Sequence, residues 1–181
     1  MGRRRPGRHH EKWGSYVHDS GVSVTFAMEE APRGTVREQV LRRLLEPHRD
    51  LARKRITLIY CPHSAGDAAT IVDRDFKDAI VGVSGKGMAS GAANIALEVT
   101  TRARDEEARG AGVVRFSILM TATVGAEEDL RRTESVLRNL ASTARLRVRP
   151  CYGYQAAAFA AGLGIGVLLP EHATIPGALA N

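Results

Sequence analysis

The sequence predicts an α+β fold. Segments in which apolar and polar residues alternate, as in a half-buried strand, are separated by segments whose apolar residues recur every three to four positions, as in an amphipathic helix. Along the 181-residue chain the order is strand, helix, strand, a long helical region, strand, helix, strand and a last helix. Elements in this order favour a sheet with helices packed against it.

Four stretches have the strand pattern: residues 23–29, 55–61, 113–124 and 145–151. The third is the clearest, because apolar residues occupy alternate positions along most of its length. Alternation assigns Phe26 and Phe116 to the core face. The second stretch, RITLIYC, is apolar on both faces, so we expect a buried strand that Cys61 ends as a core thiol.

The helical pattern occurs in four segments: residues 36–46, 63–111, 126–144 and 154–161. The second is long enough for two helices and is interrupted near residues 82–91, which predicts a helical hairpin. Ser64, with Asp67 three residues later, is typical of a helix start.

Strand and helix order together predict two split βαβ units in tandem, which form a ferredoxin-like sandwich. The hairpin is then an insertion between strands two and three, and the last helix is an addition at the C-terminus. The expected strand order, 4-1-3-2, places Cys61 and Cys151 near opposite edges of the sheet. We therefore expect no disulfide bond between them.

Composition divides the chain into an arm, a domain and a tail. Residues 1–12 carry five basic residues and one acid, hence four of the six net positive charges, and are expected to be a disordered basic arm. Residues 13–170 are predicted to form a single α+β domain that includes the insertion at 63–111. Residues 171–181 are expected to be a C-terminal tail.

The stretch VGVSGKGMASG, residues 81–91, raises the question of a phosphate-binding loop. It fails the P-loop pattern because Gly87 follows Lys86 where Ser or Thr is required, Ile80 replaces the first glycine, and residues 73–78 are too charged for a buried strand. We interpret it as a flexible turn between two helices. No ATP or GTP binding is expected.

Other chemical sites also lack a sequence signal. The six histidines show no i, i+4 pair on a helix, His18 is placed in a connecting loop, and the two cysteines are not spaced as metal ligands. No nucleophile elbow occurs, and no apolar run reaches the roughly 18 residues of a membrane span. We therefore predict no catalytic residues, no metal site and no cofactor, that is, a protein that is not an enzyme.

The C-terminal run LRVRPCYGYQAAAFAAGLGIG, residues 146–166, resembles the ending of a family of membrane-anchored actinobacterial proteins. Those proteins in turn resemble the N-terminal domain of the assembly ATPases of conjugation and type IV secretion. The similarity extends upstream to Trp13, Tyr16 and Asp19 and to the order of the helices and strands. Gly164 departs from the pattern, since the family has proline there.

The resemblance implies a non-catalytic docking or scaffold module of a conjugation-like or type IV secretion-like apparatus. Its partners would be proteins of that complex, with self-association as a further option and the membrane reached through partners or a missing segment. The implied location is cytoplasmic, including the inner face of the cell membrane. The residues expected to carry the interaction are Arg102, Arg104, Arg109, Tyr152, Gln155 and Phe159.

Nucleic-acid binding is the alternative function. The ferredoxin-like sheet is also a platform for RNA, the arm is basic, and three arginines alternate along residues 145–149. Against it, the strands carry no RNA-recognition signature. Arginines in that pattern also suit an edge strand that charge keeps soluble.

Tyr152, Gln155 and Phe159 would fix the last helix against the sheet, and the Tyr hydroxyl and Gln amide need hydrogen-bond partners if they are buried.

Overall fold

A computed structural model describes residues 9–19, 21–32, 37–85, 90–125 and 129–167. The chain forms a mixed α+β fold, which confirms the predicted class. It divides into two compact units. We call the first, Met1–Ile59 with Ser117–Asn181, the sheet unit, and the second, Tyr60–Phe116, the hairpin unit.

The described strands are β1 (His10–Lys12), β2 (Ser15–His18), β3 (Gly21–Glu30), β4 (Arg53–Pro62), β5 (Val114–Val124) and β6 (Arg147–Pro150). They form one sheet in the order β1-β2-β3-β5-β4, with β6 also paired to β3. β3 pairs with β5 along one side, from Val22 opposite Val124 to Ala27 opposite Leu119. Its other side is shared, with β2 beside its beginning and β6 beside its end, and all these pairings are antiparallel.

The described helices are a 3-10 turn (Glu38–Leu41), α1 (Arg42–Leu45), α2 (Ala65–Ser84), α3 (Gly91–Ala108), α4 (Leu130–Thr143) and α5 (Gln155–Ala161). α2 begins as predicted, because the Ser64 hydroxyl accepts the backbone N–H of Asp67 at 3.2 Å. Ser90 caps α3 in the same way through the N–H of Ala93. Such caps satisfy N–H groups that have no partner inside the helix.

One face of the sheet carries the main apolar core. Alternation along β3 and β5 directs Val24, Phe26, Ile118 and Met120 to this face, where they are buried. They meet α4, whose residues Thr133, Leu137, Leu140 and Ala141 are buried at helical spacing. α1 contributes Leu44 to the same core. Val24 and Phe26 of the first predicted strand, Ile118 and Met120 of the third, and the helix predicted at 126–144 thus pack on the sides that their patterns assigned, although residues 126–128 lie outside the described part.

The opposite face is half apolar and half polar. Its apolar part joins Leu119 and Cys151 to Ala158 and Ala161 of α5. Its polar part consists of hydroxyl side chains that are all buried and that lie opposite one another in the β3–β5 register: Ser23 with Thr123 and Thr25 with Thr121.

The N-terminal region differs from the prediction. Residues 10–12, assigned to a disordered arm, form β1 and pair with β2, so the hairpin of these two strands extends the sheet. His18 lies in β2 and not in a loop. Contacts of Trp13 explain why this segment is ordered. Its ring stacks on Tyr152 with ring planes 8° apart, and its backbone carbonyl accepts a hydrogen bond from the N–H of Gly153. Residues 1–8, and the whole tail at 171–181, lie outside the described residues.

Four expectations of burial and length are wrong. No residue of β4 is buried, and Cys61 and, in β5, Phe116 are exposed. The apolar pattern of RITLIYC did not distinguish a central strand from an end strand, and β4 ends the order of the described sheet, with β5 as its neighbour there. The helix expected at 36–46 is a 3-10 turn followed by the four residues of α1, and Val36 is not described.

Candidate functional site

The six residues predicted to carry an interaction belong to different units. Arg102, Arg104 and Arg109 lie on or at the end of α3 in the hairpin unit. Tyr152, Gln155 and Phe159 lie before or within α5 in the sheet unit.

Arg104 holds the two helices of the hairpin together. Its Nε lies 3.3 Å from Oδ1 of Asp73 on α2, and its guanidinium carbon is 4.7 Å from the centre of the Phe76 ring. Arg102 pairs with Glu98 one turn earlier at 3.7 Å, a surface contact worth about 0.5 kcal/mol or less. Arg104 is exposed, but its guanidinium is engaged by Asp73 and Phe76 within the hairpin.

The hairpin unit exposes large apolar side chains instead. α2 buries Ala68, Val72 and Ala79, whereas none of the 18 residues of α3, all of them described, is buried. Ile95 and Val99, one turn apart on α3, are exposed, and so are two neighbours on α2, Ile80 and Val81. Apolar residues at helical spacing that remain exposed are typical of surfaces that bind another protein.

Gln155 fixes α5 to the sheet, as predicted. Its side chain is fully buried; Oε1 accepts the backbone N–H of Thr25 at 2.8 Å, and Nε2 donates to the Thr25 carbonyl at 3.1 Å. The amide therefore continues the backbone pairing of β3 where no strand covers it, and both polar ends of the side chain are satisfied.

Phe159 and Tyr152 behave differently. Phe159 contacts the sheet through Tyr16 and His18, with ring centres 5.4 and 4.7 Å away, and Arg55 lies over its ring at 4.8 Å. Tyr152 is about half exposed and stacks on Trp13, so it anchors the N-terminal β-hairpin and not the body of α5.

A cleft of about 510 Å³ opens beside Phe159 in the sheet unit. Its lining includes His18 of β2, Arg53 and Arg55 of β4, Thr121 and Thr123 of β5, and Phe159 itself. Its lining residues contain no carboxylate. The cleft lies on the polar half of the α5 face, where the Ser23 and Thr25 hydroxyls of β3 form hydrogen bonds with the Thr123 and Thr121 hydroxyls of β5.

Hydrogen bonds connect the cleft wall into a chain. His18 Nε2 lies 2.7 Å from Ser23 Oγ, which lies 2.6 Å from Thr123 Oγ1. Burial, followed by the nearby Arg53 charge, lowers the pKa of His18. With Nε2 protonated in the neutral ring, His18 can donate to Ser23 and Ser23 to Thr123, which leaves the Thr123 hydrogen for an acceptor in the cleft.

Two neighbouring basic residues have opposite environments. Lys54 Nζ donates to the carbonyl oxygens of Leu44 and Glu46, so its charge is directed to the end of α1 and away from the cleft. Arg55 forms no ion pair with a carboxylate among the described residues, and its buried Nε has no hydrogen-bond partner there. Burial lowers the pKa of the Arg55 guanidinium. A buried donor without a hydrogen-bond partner costs about 1–3 kcal/mol of stability, and more when the group is charged.

The arginines at the edge strand are partly neutralised. Arg147 lies 3.7 Å from Glu29 and 3.2 Å from Glu30 on β3, and Arg145 adopts a positive φ of 56° at the turn before β6. These contacts suit an edge strand held to β3 by charge. Nucleic-acid binding through these arginines stays a prediction, and the ion pairs of Arg147 reduce the positive charge that could attract phosphates.

The glycine-rich stretch at 81–91 does not follow a strand. α2 continues to Ser84, so Gly82 lies inside the helix, and α3 begins at Gly91. Residues 86–89, including Lys86, lie outside the described part. Within that part, no group of three or more His, Cys, Asp or Glu residues is placed to hold a metal ion.

No protein-family model, curated protein or solved structure matches this chain. Among the described helices, none combines the length and apolar character needed to cross a membrane.

The cleft was not found from the sequence, although a signal existed. Arg53, Arg55 and Thr57 alternate along β4, and Thr57 donates to the Gly162 carbonyl just after α5, so the same face meets the helix. Polar residues at every second position of β3, β4 and β5 would have predicted a polar sheet face.

Proposed function

We propose that this protein is a non-catalytic docking module of a conjugation-like or type IV secretion-like apparatus, and that the hairpin unit binds the protein partner. The observation that carries the proposal is the exposure of Ile95 and Val99 on α3, a helix that buries none of its own residues. A helix with exposed apolar residues one turn apart fits a partner groove or helix. The secretion context is supported by the resemblance of residues 146–166 alone.

We also propose that the sheet unit is a ferredoxin-like sandwich acting as a rigid support. The neighbour order β6, β3, β5, β4 supports it, together with the placement of α1 and α4 in one core. The hairpin of β1 and β2 and the helix α5 are additions to that plan. A cytoplasmic position at the inner face of the membrane, reached through partners, belongs to the same proposal.

The test is capture of the proteins encoded beside the gene, co-expressed with the tagged chain. Val99→Asp should reduce capture of a secretion or conjugation component at least tenfold, because a desolvated charge opposes apolar contact. Thr101→Asp is the matched control, since it adds the same charge at an exposed position on another side of α3 and should retain capture.

Self-association is the competing outcome for the same surface. A second copy bound through α3 would give a concentration-dependent mass in solution that Val99→Asp removes. Capture of a component that is unchanged in Val99→Asp would reject the hairpin as the binding surface and leave the docking proposal without its structural support.

A further inference from the structure

We propose that the cleft beside Phe159 binds the phosphate group of a small phosphorylated molecule. The proposal concerns the sheet unit alone and does not depend on the hairpin as a docking surface. It rests on two arginines and two threonines that line one cavity, in a part of the molecule that the docking function does not use.

Arg55 is preorganised for an oxyanion. Its guanidinium lies over the Phe159 ring at 4.8 Å, which restrains its position, and its charge lacks a carboxylate partner within the described chain. An arginine fork whose position is restrained matches phosphate geometry and loses little side-chain entropy on binding. An anion in the cleft would supply the counter-charge that the Arg55 guanidinium lacks among the described residues.

The remaining donors surround the same cavity. Arg53 lies two residues before Arg55, hence on the same face of β4, and both line the cleft. Thr121 and Thr123 line it from β5, and the hydrogen-bonded chain from His18 through Ser23 allows Thr123 to donate outward. Two cationic forks with hydroxyl donors favour a doubly charged phosphate monoester over a carboxylate, which has fewer acceptor oxygens.

Size and shape favour a small ligand. A cavity of about 510 Å³ lies within the ordinary range for metabolite sites. Arg55 lies over the Phe159 ring, and His18 and Tyr16 contact it at tilted angles, so little of the ring is left for stacking a nucleic-acid base. A single strand that is bound through base stacking is therefore not favoured here.

The experiment is isothermal titration of the full chain with ribose 5-phosphate, inorganic phosphate and ribose. We expect ribose 5-phosphate to bind, phosphate to bind more weakly, and ribose to show no heat of binding. Arg53→Gln, at an exposed position that the core does not need, should weaken ribose 5-phosphate about tenfold or more. Arg131→Gln removes one exposed charge from α4 on the other face of the sheet and should change affinity less than about twofold.

Arg55→Lys provides a second variant, because it keeps the charge and loses the stacked fork. It should also lose affinity, while circular dichroism shows the fold retained. Absence of binding to both phosphate compounds at concentrations up to about 10 mM would overturn the proposal. So would equal losses in Arg53→Gln and Arg131→Gln. Tighter binding to a single-stranded oligonucleotide or to phosphatidate vesicles than to ribose 5-phosphate would reject the small-molecule ligand.

Discussion

The sheet unit and the hairpin unit bury their apolar residues to very different extents. In the sheet unit, Phe26, Met120 and Leu137 are completely enclosed between strands and α4. In the hairpin unit, the buried residues of α2 are two alanines and a valine, while longer side chains such as Ile95 and Val99 remain exposed.

Stability and recognition reside in different units. A sheet covered by helices can bury large side chains from both layers, whereas two helices in a hairpin bury only the stripe along which they meet. Apolar residues outside that stripe do not stabilise the hairpin, and they are available to a partner. Substitutions in the sheet unit should therefore cost stability, and those on α3 should cost binding.

The largest expected loss of stability follows from Phe26→Ala. The ring is fully buried in the main core, so its removal leaves a cavity and should lower the free energy of unfolding by about 3–5 kcal/mol. Urea denaturation measures the change. A loss below about 1 kcal/mol would mean that the core of the sheet unit is not closed around this residue.

A smaller loss is expected from Gln155→Met, which keeps the length of the side chain and removes its hydrogen bonds. The Thr25 N–H then has no partner, whereas the Thr25 carbonyl retains the N–H of Cys151 at 2.9 Å. One orphaned buried donor predicts a loss of about 1–3 kcal/mol. An unchanged unfolding midpoint would show that α5 is attached by apolar contact alone.

The free energy of unfolding at alkaline pH should depend on the buried thiol of Cys151. Burial raises the pKa of Cys151 to about 11 from an ordinary 9.0, so the folded state keeps its proton while the unfolded state loses it. The free energy of unfolding should therefore fall by about 2–3 kcal/mol as the pH rises from about 9 to about 11, with no contribution below that window.

The control for that titration is Cys151→Ala, in which the fall assigned to this thiol should be absent although other groups still titrate. Thiol labelling gives an independent check. Cys61 is exposed and should react at once in the native protein, whereas Cys151 should react only after denaturation. Equal reactivity of both thiols would contradict the burial of Cys151.

The smallest effect on stability is expected from Val99→Asp. The side chain is 55% exposed, so the free energy of unfolding should change by about 0.5 kcal/mol or less, although partner capture is lost. Thermal melting of the purified variant distinguishes loss of a contact surface from loss of the fold. A large drop in melting temperature would place Val99 in the interior of the hairpin.

Much of the fold followed from local pattern. Phe26 and Leu137 are buried as their spacing predicted, because alternation and helical period report directly which face of an element is covered. Ser64 predicted the start of α2, since its hydroxyl bonds the nearby backbone. These features depend on residues only a few positions apart.

Features that depend on distant residues were not predicted. β1 is short and polar, and its order follows from pairing with β2 and from the stacking of Trp13 on Tyr152, more than a hundred residues away. Phe116 has strand periodicity but is exposed. Its exposure could not be predicted, because periodicity does not reveal whether a layer covers that end of the strand. The cleft depends on Arg55 reaching Phe159, another contact between distant segments.

The most direct test of the docking surface is photocrosslinking in cells from a benzophenone amino acid placed at position 99. The account predicts a covalent adduct with a component of the secretion or conjugation apparatus from position 99 and none from position 101, the exposed control on the same helix. An adduct from both positions would indicate unspecific proximity. No adduct from position 99, with the protein expressed and folded, would contradict the claim that the exposed apolar face of the hairpin unit is the surface on which the partner binds.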